Sequence, residues 1–94
     1  MVKGAIYKRV HSDVMFAYRG EDSWNVLHYV CLLPDGVVVI KNVNGIGEIG
    51  KEECRPATPT ERERFLNAIH DFGYHYNEAN HKVINLTTKE IIEQ

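Results

Sequence analysis

Five histidines and two cysteines are the residues of this 94-residue chain best suited to metal binding. A structural zinc site usually has a close pair of ligands on one element. The candidates are instead dispersed, and only two of them, His75 and His81, face each other across a predicted turn. The metal candidates are therefore His70, His75, His81 and Cys54, and we expect no resident metal or other cofactor.

The two cysteines are also the candidates for nucleophilic catalysis. Cys54 stands beside Arg55, and a neighbouring cation can lower a thiol pKa. Cys31 lies among apolar residues and is interpreted as an inert buried thiol. No local catalytic signature accompanies either cysteine, so the sequence favours a protein that is not an enzyme and leaves catalysis as an alternative.

The stretch from Gly45 to Gly50 matches the pattern G-x-G-x-x-G. A dinucleotide site of this kind needs a helix that opens at the third glycine. Residues 51–56 predict no helix, and Glu48 would repel a phosphate. We therefore interpret the three glycines as hairpin or bulge residues.

Basic and aromatic residues alternate near the N-terminus, as in small barrels that stack single-stranded nucleic acid on aromatic rings. Residues 1–20 hold four basic side chains and one acidic one, whereas residues 21–53 hold two basic and six acidic ones. The net charge of −2 argues against strong non-specific binding. Alternatively, the two tyrosines belong to the core. The nucleic-acid candidates are Lys3, Tyr7, Lys8, Arg9, Tyr18 and Arg19.

Aromatic residues also cluster near the C-terminus, and tyrosine and tryptophan dominate the hot spots of protein interfaces. An exposed face of the predicted C-terminal hairpin would be a partner-binding surface, with Trp24 as a further aromatic. The alternative is that the tyrosines pack under the helix. The partner-binding candidates are Tyr74, His75, Tyr76 and His81.

Composition predicts one ordinary globular domain over residues 1–94, with 44% hydrophobic and 26% charged residues. No apolar run approaches the roughly 18 residues of a membrane span. Lys8 and Arg9 interrupt any apolar segment of a signal peptide. We therefore expect a cytoplasmic protein without membrane contact and with both cysteines free.

Alternating apolar residues predict a β meander over residues 1–53, with strands near 4–10, 14–19, 24–33, 37–43 and 46–49. The third is apolar on both faces, which is typical of a central strand. Turns are predicted at Pro34–Gly36 and Asn44–Gly45, and residues 51–56 are predicted to be a polar connection.

Residues 54–86 predict a capped helix followed by a hairpin. Thr58 as N-cap, Pro59 at the first helical position and Glu61 three residues after the cap form a capping box. An apolar stripe follows, and Gly73 ends a helix of about residues 59–72. Strands at 74–76 and 82–86 complete the hairpin, and residues 87–94 are predicted to be a polar tail.

The predicted fold is α+β and mainly antiparallel β: a five-strand meander or a small SH3-like or OB-like barrel, with one helix and a C-terminal hairpin. Exposed edge strands would allow a homo-oligomer.

The segment from Ala57 to Asn77 also resembles a recurring module, AT-x-x-E…AI…GY-x-W/Y-N, of small uncharacterised proteins from gut Bacteroidota and their phages. Tyr76 stands where tryptophan is common in that module. The resemblance implies a phage or mobile-element accessory protein, and small proteins of that origin often bind a host or defence protein.

These observations favour a small non-enzymatic module that binds a protein partner. The first alternative is a barrel that binds single-stranded nucleic acid, and the second is a small metal-binding protein or enzyme.

Overall fold

A computed structural model describes residues 1–39 and 47–92 of the chain. The elements in these residues are β1 (Ile6–Arg9), β2 (Met15–Glu21), β3 (Asn25–Leu33), β4 (Gly36–Val39), β5 (Gly47–Gly50), β6 (Cys54–Pro56), α1 (Pro59–Asp71), β7 (Tyr74–Asn77), β8 (Lys82–Asn85) and β9 (Ile91–Ile92). They confirm the prediction of a mainly antiparallel α+β protein with one helix and a C-terminal hairpin.

The larger sheet has the strand order β4-β3-β2-β1-β6, and β5 pairs with β3 as well. All of its pairs are antiparallel. Only three residues separate β5, which pairs with β3, from β6, which pairs with β1. Strand β5 lies on one edge of β3 and β6 on the outer edge of β1, and no ladder joins β5 to β6 among the described residues. The described ladders thus form a six-stranded sheet, and its closure into a barrel stays a prediction.

Strand β3 is central, as its two apolar faces predicted. One face contributes to the inner cluster, which comprises Tyr7, Val14, Phe16, Tyr18, Val26 and Cys31. The other face contributes to the helix-side cluster, which comprises Ile6, Met15, Ala17, Val30, Phe65, Ile69, Tyr74, Tyr76 and Val83. The curved sheet thus has one apolar layer on each side, and the helix and smaller sheet cover the second layer.

The helix begins as predicted. The Thr58 side chain accepts a hydrogen bond from Glu61 N at 3.2 Å, and the Glu61 carboxylate accepts one from Thr58 N at 2.9 Å. Pro59 occupies the first turn, and Gly73 follows the C-cap with a φ of 96°. Phe65 and Ile69 are fully buried and attach the helix to the sheet.

The smaller sheet is β7-β8-β9. The predicted hairpin of β7 and β8 is confirmed, with Tyr76 opposite Val83. Part of the predicted polar tail is instead β9, where Ile91 and Ile92 pair with β8. A two-residue strand is too short to show a period in the sequence, so its partner decides whether it forms.

Two expectations for residues 44–56 need correction. The short strand β5 pairs with β3 and not with β4, because β4 and β5 lie end to end along one edge of β3. The predicted polar connection contains β6, which pairs with β1. The predicted Asn44–Gly45 turn lies outside the described residues. Within residues 1–39 and 47–92, no helix has the length and apolar character needed to cross a membrane.

Candidate functional site

Only part of the predicted partner-binding hairpin reaches the surface. Tyr74 and Tyr76 are buried in the helix-side cluster. The Tyr76 hydroxyl donates a 2.6 Å hydrogen bond to the Gly4 carbonyl, and burial raises the pKa of Tyr76. His75 is exposed and His81 is half-buried. Of the four candidates, the hairpin thus exposes His75 and part of His81, and its two tyrosines are core residues.

The predicted nucleic-acid residues are also divided. Tyr7 and Tyr18 are buried in the inner cluster with their rings edge to face, 6.0 Å between centroids. The Tyr7 hydroxyl accepts a hydrogen bond from Val2 N at 2.6 Å. The Tyr18 hydroxyl donates a longer bond of 3.4 Å to Glu21. Rings packed in a core expose no face on which a base could stack, so the core alternative describes both tyrosines.

Two of the four predicted cations have structural roles. Lys8 Nζ donates to the carbonyls of Arg9 and Ser12, both at 3.1 Å. Arg9 forms an ion pair with Glu52 at 3.5 Å and donates to the Gly50 carbonyl. These bonds hold the end of β1 against the turn that follows it and against the end of β5. Lys3 is exposed and Arg19 is half-buried.

The metal and nucleophile candidates do not converge. Within the described part of the chain, no three His, Cys, Asp or Glu side chains are grouped so that they could hold a metal ion. Cys54 Sγ lies 3.4 Å from Met1 Sδ, and burial raises the pKa of this thiol. Arg55 forms an ion pair with Glu61 instead. The thiolate expected beside Arg55 is thus disfavoured.

The part of the glycine pattern that the structure describes is strand β5, after which no helix starts. Gly47 lies against the ring of His28, and a β-carbon at this position would overlap that ring. His28 is buried, and burial lowers its pKa to about 4. The glycine is required for the close packing of β5 against His28 and not for a phosphate.

The most exposed large apolar side chain described by the structure is Trp24, which is 81% accessible. It lies in the Trp24 turn, residues 22–25, between β2 and β3. The Asp22 carboxylate accepts hydrogen bonds from Trp24 N at 2.9 Å and Asn25 N at 2.7 Å. Lys51 N donates to the Trp24 carbonyl at 3.1 Å. The backbone of the turn is therefore fixed on both sides of a largely solvent-exposed indole.

Charged side chains surround this turn. Glu21 and Lys51 form an ion pair of 3.1 Å, and the Asn25 amide donates to Glu48 at 3.3 Å. The Lys51 ammonium lowers the pKa of Glu21, and the two backbone bonds lower that of Asp22. Both carboxylates are thus stabilised as anions, and the rim of the turn is acidic.

The sequence places Trp24 at the start of a predicted central strand and makes it a further aromatic of a possible partner-binding surface, but it does not predict the turn. A signal was present in Asp22, because aspartate before a strand often closes a turn through its side chain. The exposed, preorganised indole with an acidic rim is suited to binding.

Comparisons of the chain with protein-family models, with curated proteins and with solved structures found no match.

Proposed function

We propose that this chain is a small non-enzymatic module that binds a protein through the Trp24 turn. The observation that carries the proposal is the 81% exposure of Trp24 on a backbone fixed by hydrogen bonds. Tryptophan is enriched in binding hot spots, where its truncation often costs about 2 kcal/mol or more. A free tryptophan at the tip of a turn is an anchor of this kind.

The rigidity of the turn supports the proposal independently. A contact loop that must become ordered on binding reduces the affinity, because its conformational entropy is lost. Here Asp22 and the backbone of Lys51 order the loop in advance. Only the two side-chain torsions of the indole remain to be fixed when a partner binds.

The acidic rim specifies the chemistry of the partner. Glu21, Asp22 and Glu48 surround the turn with one compensating ammonium, Lys51. A complementary surface has an apolar socket for the indole and basic residues around it, since opposite potentials steer association. We therefore propose a cytoplasmic protein partner with a basic face.

The proposed setting comes from the resemblance of residues 57–77 to a module of gut Bacteroidota and their phages. We extend it here to a phage or mobile-element accessory protein that binds a host or defence protein. The nucleic-acid alternative is less well supported, because its two proposed stacking residues, Tyr7 and Tyr18, are buried in the inner cluster.

An affinity capture from a lysate of gut Bacteroidota cells tests the proposal. Three tagged forms are compared: the native chain, Trp24→Ala and Val10→Ala. Val10 is also an exposed apolar residue, and its backbone is fixed to Glu53, so it is a matched control. We expect one protein to be captured by the native chain and Val10→Ala but not by Trp24→Ala.

The captured protein is then purified and titrated into the native chain. Trp24 is the only tryptophan of the chain, so its fluorescence reports on this turn alone. Burial of the indole predicts a blue shift at saturation and weaker binding as salt is increased. Equal capture by all three forms, or binding without a change in Trp24 emission, would contradict the proposal.

A further inference from the structure

Two neighbouring irregularities interrupt the ladder between β2 and β3. The first is on β2, where Tyr18 pairs with His28 and Gly20 pairs with Leu27. Arg19 is therefore an extra residue with no cross-strand partner. A bulge of this kind bends the strand and re-aims a side chain, and bulges are over-represented beside functional sites.

The second irregularity is on β3, at Tyr29. Pairing with β2 passes from His28 to Cys31, which gives β3 an extra residue. Tyr29 and Val30 thus lie opposite the single residue Ala17 of β2, and neither has a partner in that ladder.

The two bulged residues are brought together. The Arg19 guanidinium carbon lies 5.9 Å from the centre of the Tyr29 ring. That ring also lies 5.5 Å from the ring of His81 and 6.2 Å from that of Tyr76. Tyr76 is bonded to Gly4, and the His81 ring packs on Gly4. Tyr29 is therefore the centre of a buttressed cluster on the helix side of the sheet.

Arg19 differs from the other arginines of the chain. Among the described residues, each of the other four has a carboxylate partner: Arg9 with Glu52, Arg55 with Glu61, Arg62 with Glu78 and Arg64 with Asp13. Arg19 has none, and its buried Nη1 has no acceptor in the described residues. A buried donor without a partner is unfavourable and calls for an unseen acceptor.

We propose that Arg19, Tyr29 and His81 form a binding site for the phosphate group of a small molecule. The planar fork of arginine matches a phosphate in a bidentate manner. Tyr29 holds that fork in position, and the imidazole of His81 adds a second donor. All three residues are half-buried, so the site is desolvated but remains open to solvent.

Neighbouring charges favour a phosphate over a carboxylate. Lys3 precedes Gly4, and Lys82 follows His81, so two lysine residues adjoin residues of the cluster in the chain. The nearby Glu78 is paired with Arg62. A dianion gains more than a monoanion from this excess of positive charge. This site lies on residues other than the Trp24 turn, so either proposal can fail without the other.

Arginine Nε–H signals in ¹H–¹⁵N NMR spectra test this proposal on the native chain. Inorganic phosphate, AMP and acetate are titrated separately at constant ionic strength. We expect a saturable shift of Arg19, with the four paired arginines unmoved as internal controls. If AMP binds more tightly than phosphate, the ligand is a nucleotide-type phosphate ester. If the two affinities are equal, the phosphate group alone is recognised. Both outcomes support the proposal.

Variants then test the residue roles. Arg19→Gln is expected to weaken phosphate binding by about tenfold or more, and His81→Ala by a smaller factor. Arg64→Gln removes a paired arginine and is expected to leave the affinity unchanged. The absence of a shift, equal shifts of all five arginines, acetate as tight as phosphate, or native affinity in Arg19→Gln would each overturn the proposal.

Discussion

The imidazole of His28 lies directly against the α-carbon of Gly47, its cross-strand partner on β5. His28 is buried and Gly47 has no side chain, so one large ring occupies the space of two residues. This contact connects the middle of the central strand β3 to the first residue of β5.

Gly47→Ala is therefore expected to destabilise the fold. Its β-carbon would overlap the His28 ring, and forcing a methyl group into a packed core typically costs about 1–3 kcal/mol. Gly50→Ala is the control on the same strand, because nothing lies within 4 Å of its β-carbon position. Urea unfolding followed by circular dichroism measures both. Equal stability of the two variants would contradict the overlap.

Stability is expected to fall on acidification between pH 6.5 and about pH 4. Burial lowers the pKa of His28 from 6.5 to about 4, so over this range the unfolded chain binds a proton that the folded chain does not. The slope reaches at most about 1.4 kcal/mol per pH unit. Urea unfolding between pH 4.5 and pH 7 measures it.

Two variants test whether His28 causes this pH dependence of stability. His28→Gln is expected to reduce it, whereas His75→Gln, which removes an exposed histidine, should retain it. The Glu61 carboxylate, whose pKa its partner Arg55 lowers to about 2, adds a loss of stability only at lower pH. An unchanged slope in His28→Gln would assign the pH dependence to other groups.

Tyr76→Phe is expected to destabilise the protein by about 1–2 kcal/mol, because it removes a buried hydrogen-bond partner of the Gly4 carbonyl. Tyr18→Phe is the control, since Tyr18 is also buried but its hydroxyl makes only a 3.4 Å bond to Glu21. Thermal unfolding compares the two. A smaller loss in Tyr76→Phe than in Tyr18→Phe would show that the bond to Gly4 contributes little.

Thr58→Ala is expected to cost about 1 kcal/mol, the usual loss for an N-cap hydroxyl. Its oxygen accepts the Glu61 N–H bond that begins the helix. Thr60→Ala changes an exposed threonine of the same turn and should alter the free energy of unfolding by less than about 0.5 kcal/mol. Chemical denaturation measures the free energy of unfolding of both variants. Equal losses in the two would show that the Thr58 cap does not stabilise the helix.

Trp24→Ala should leave the free energy of unfolding unchanged within about 0.5 kcal/mol, because the indole is exposed and the turn is held by hydrogen bonds from its backbone to the Asp22 carboxylate. Acrylamide should quench the native fluorescence nearly as strongly as that of the unfolded chain. Circular dichroism and quenching check these two expectations. A large loss of stability would mean that the indole packs against the fold.

The sequence by itself determined the helix, its cap and the hairpin that follows. Thr58, Pro59, Glu61 and Gly73 act on backbone groups a few residues away, so their effect can be read from spacing alone. The central position of β3 was also visible, because both of its faces are apolar along the chain.

Only the tertiary structure decided how the short strands pair. Strands β6 and β9 have three and two residues and carry too little periodicity to be recognised. Strands β4 and β5 pair with different halves of β3, a division that their own sequences do not indicate. The burial of Tyr7, Tyr18 and Tyr76 depends on the same pairings. A strand's partner is a property of distant residues, so its local sequence cannot specify it.

The two candidate binding regions show the same division. Asp22 gave a local signal for the turn, but the exposure of Trp24 depends on what the rest of the fold leaves uncovered. The meeting of Arg19 and Tyr29 needs one extra residue on each of two neighbouring strands. Register is set jointly by both strands, so neither strand's sequence contains it.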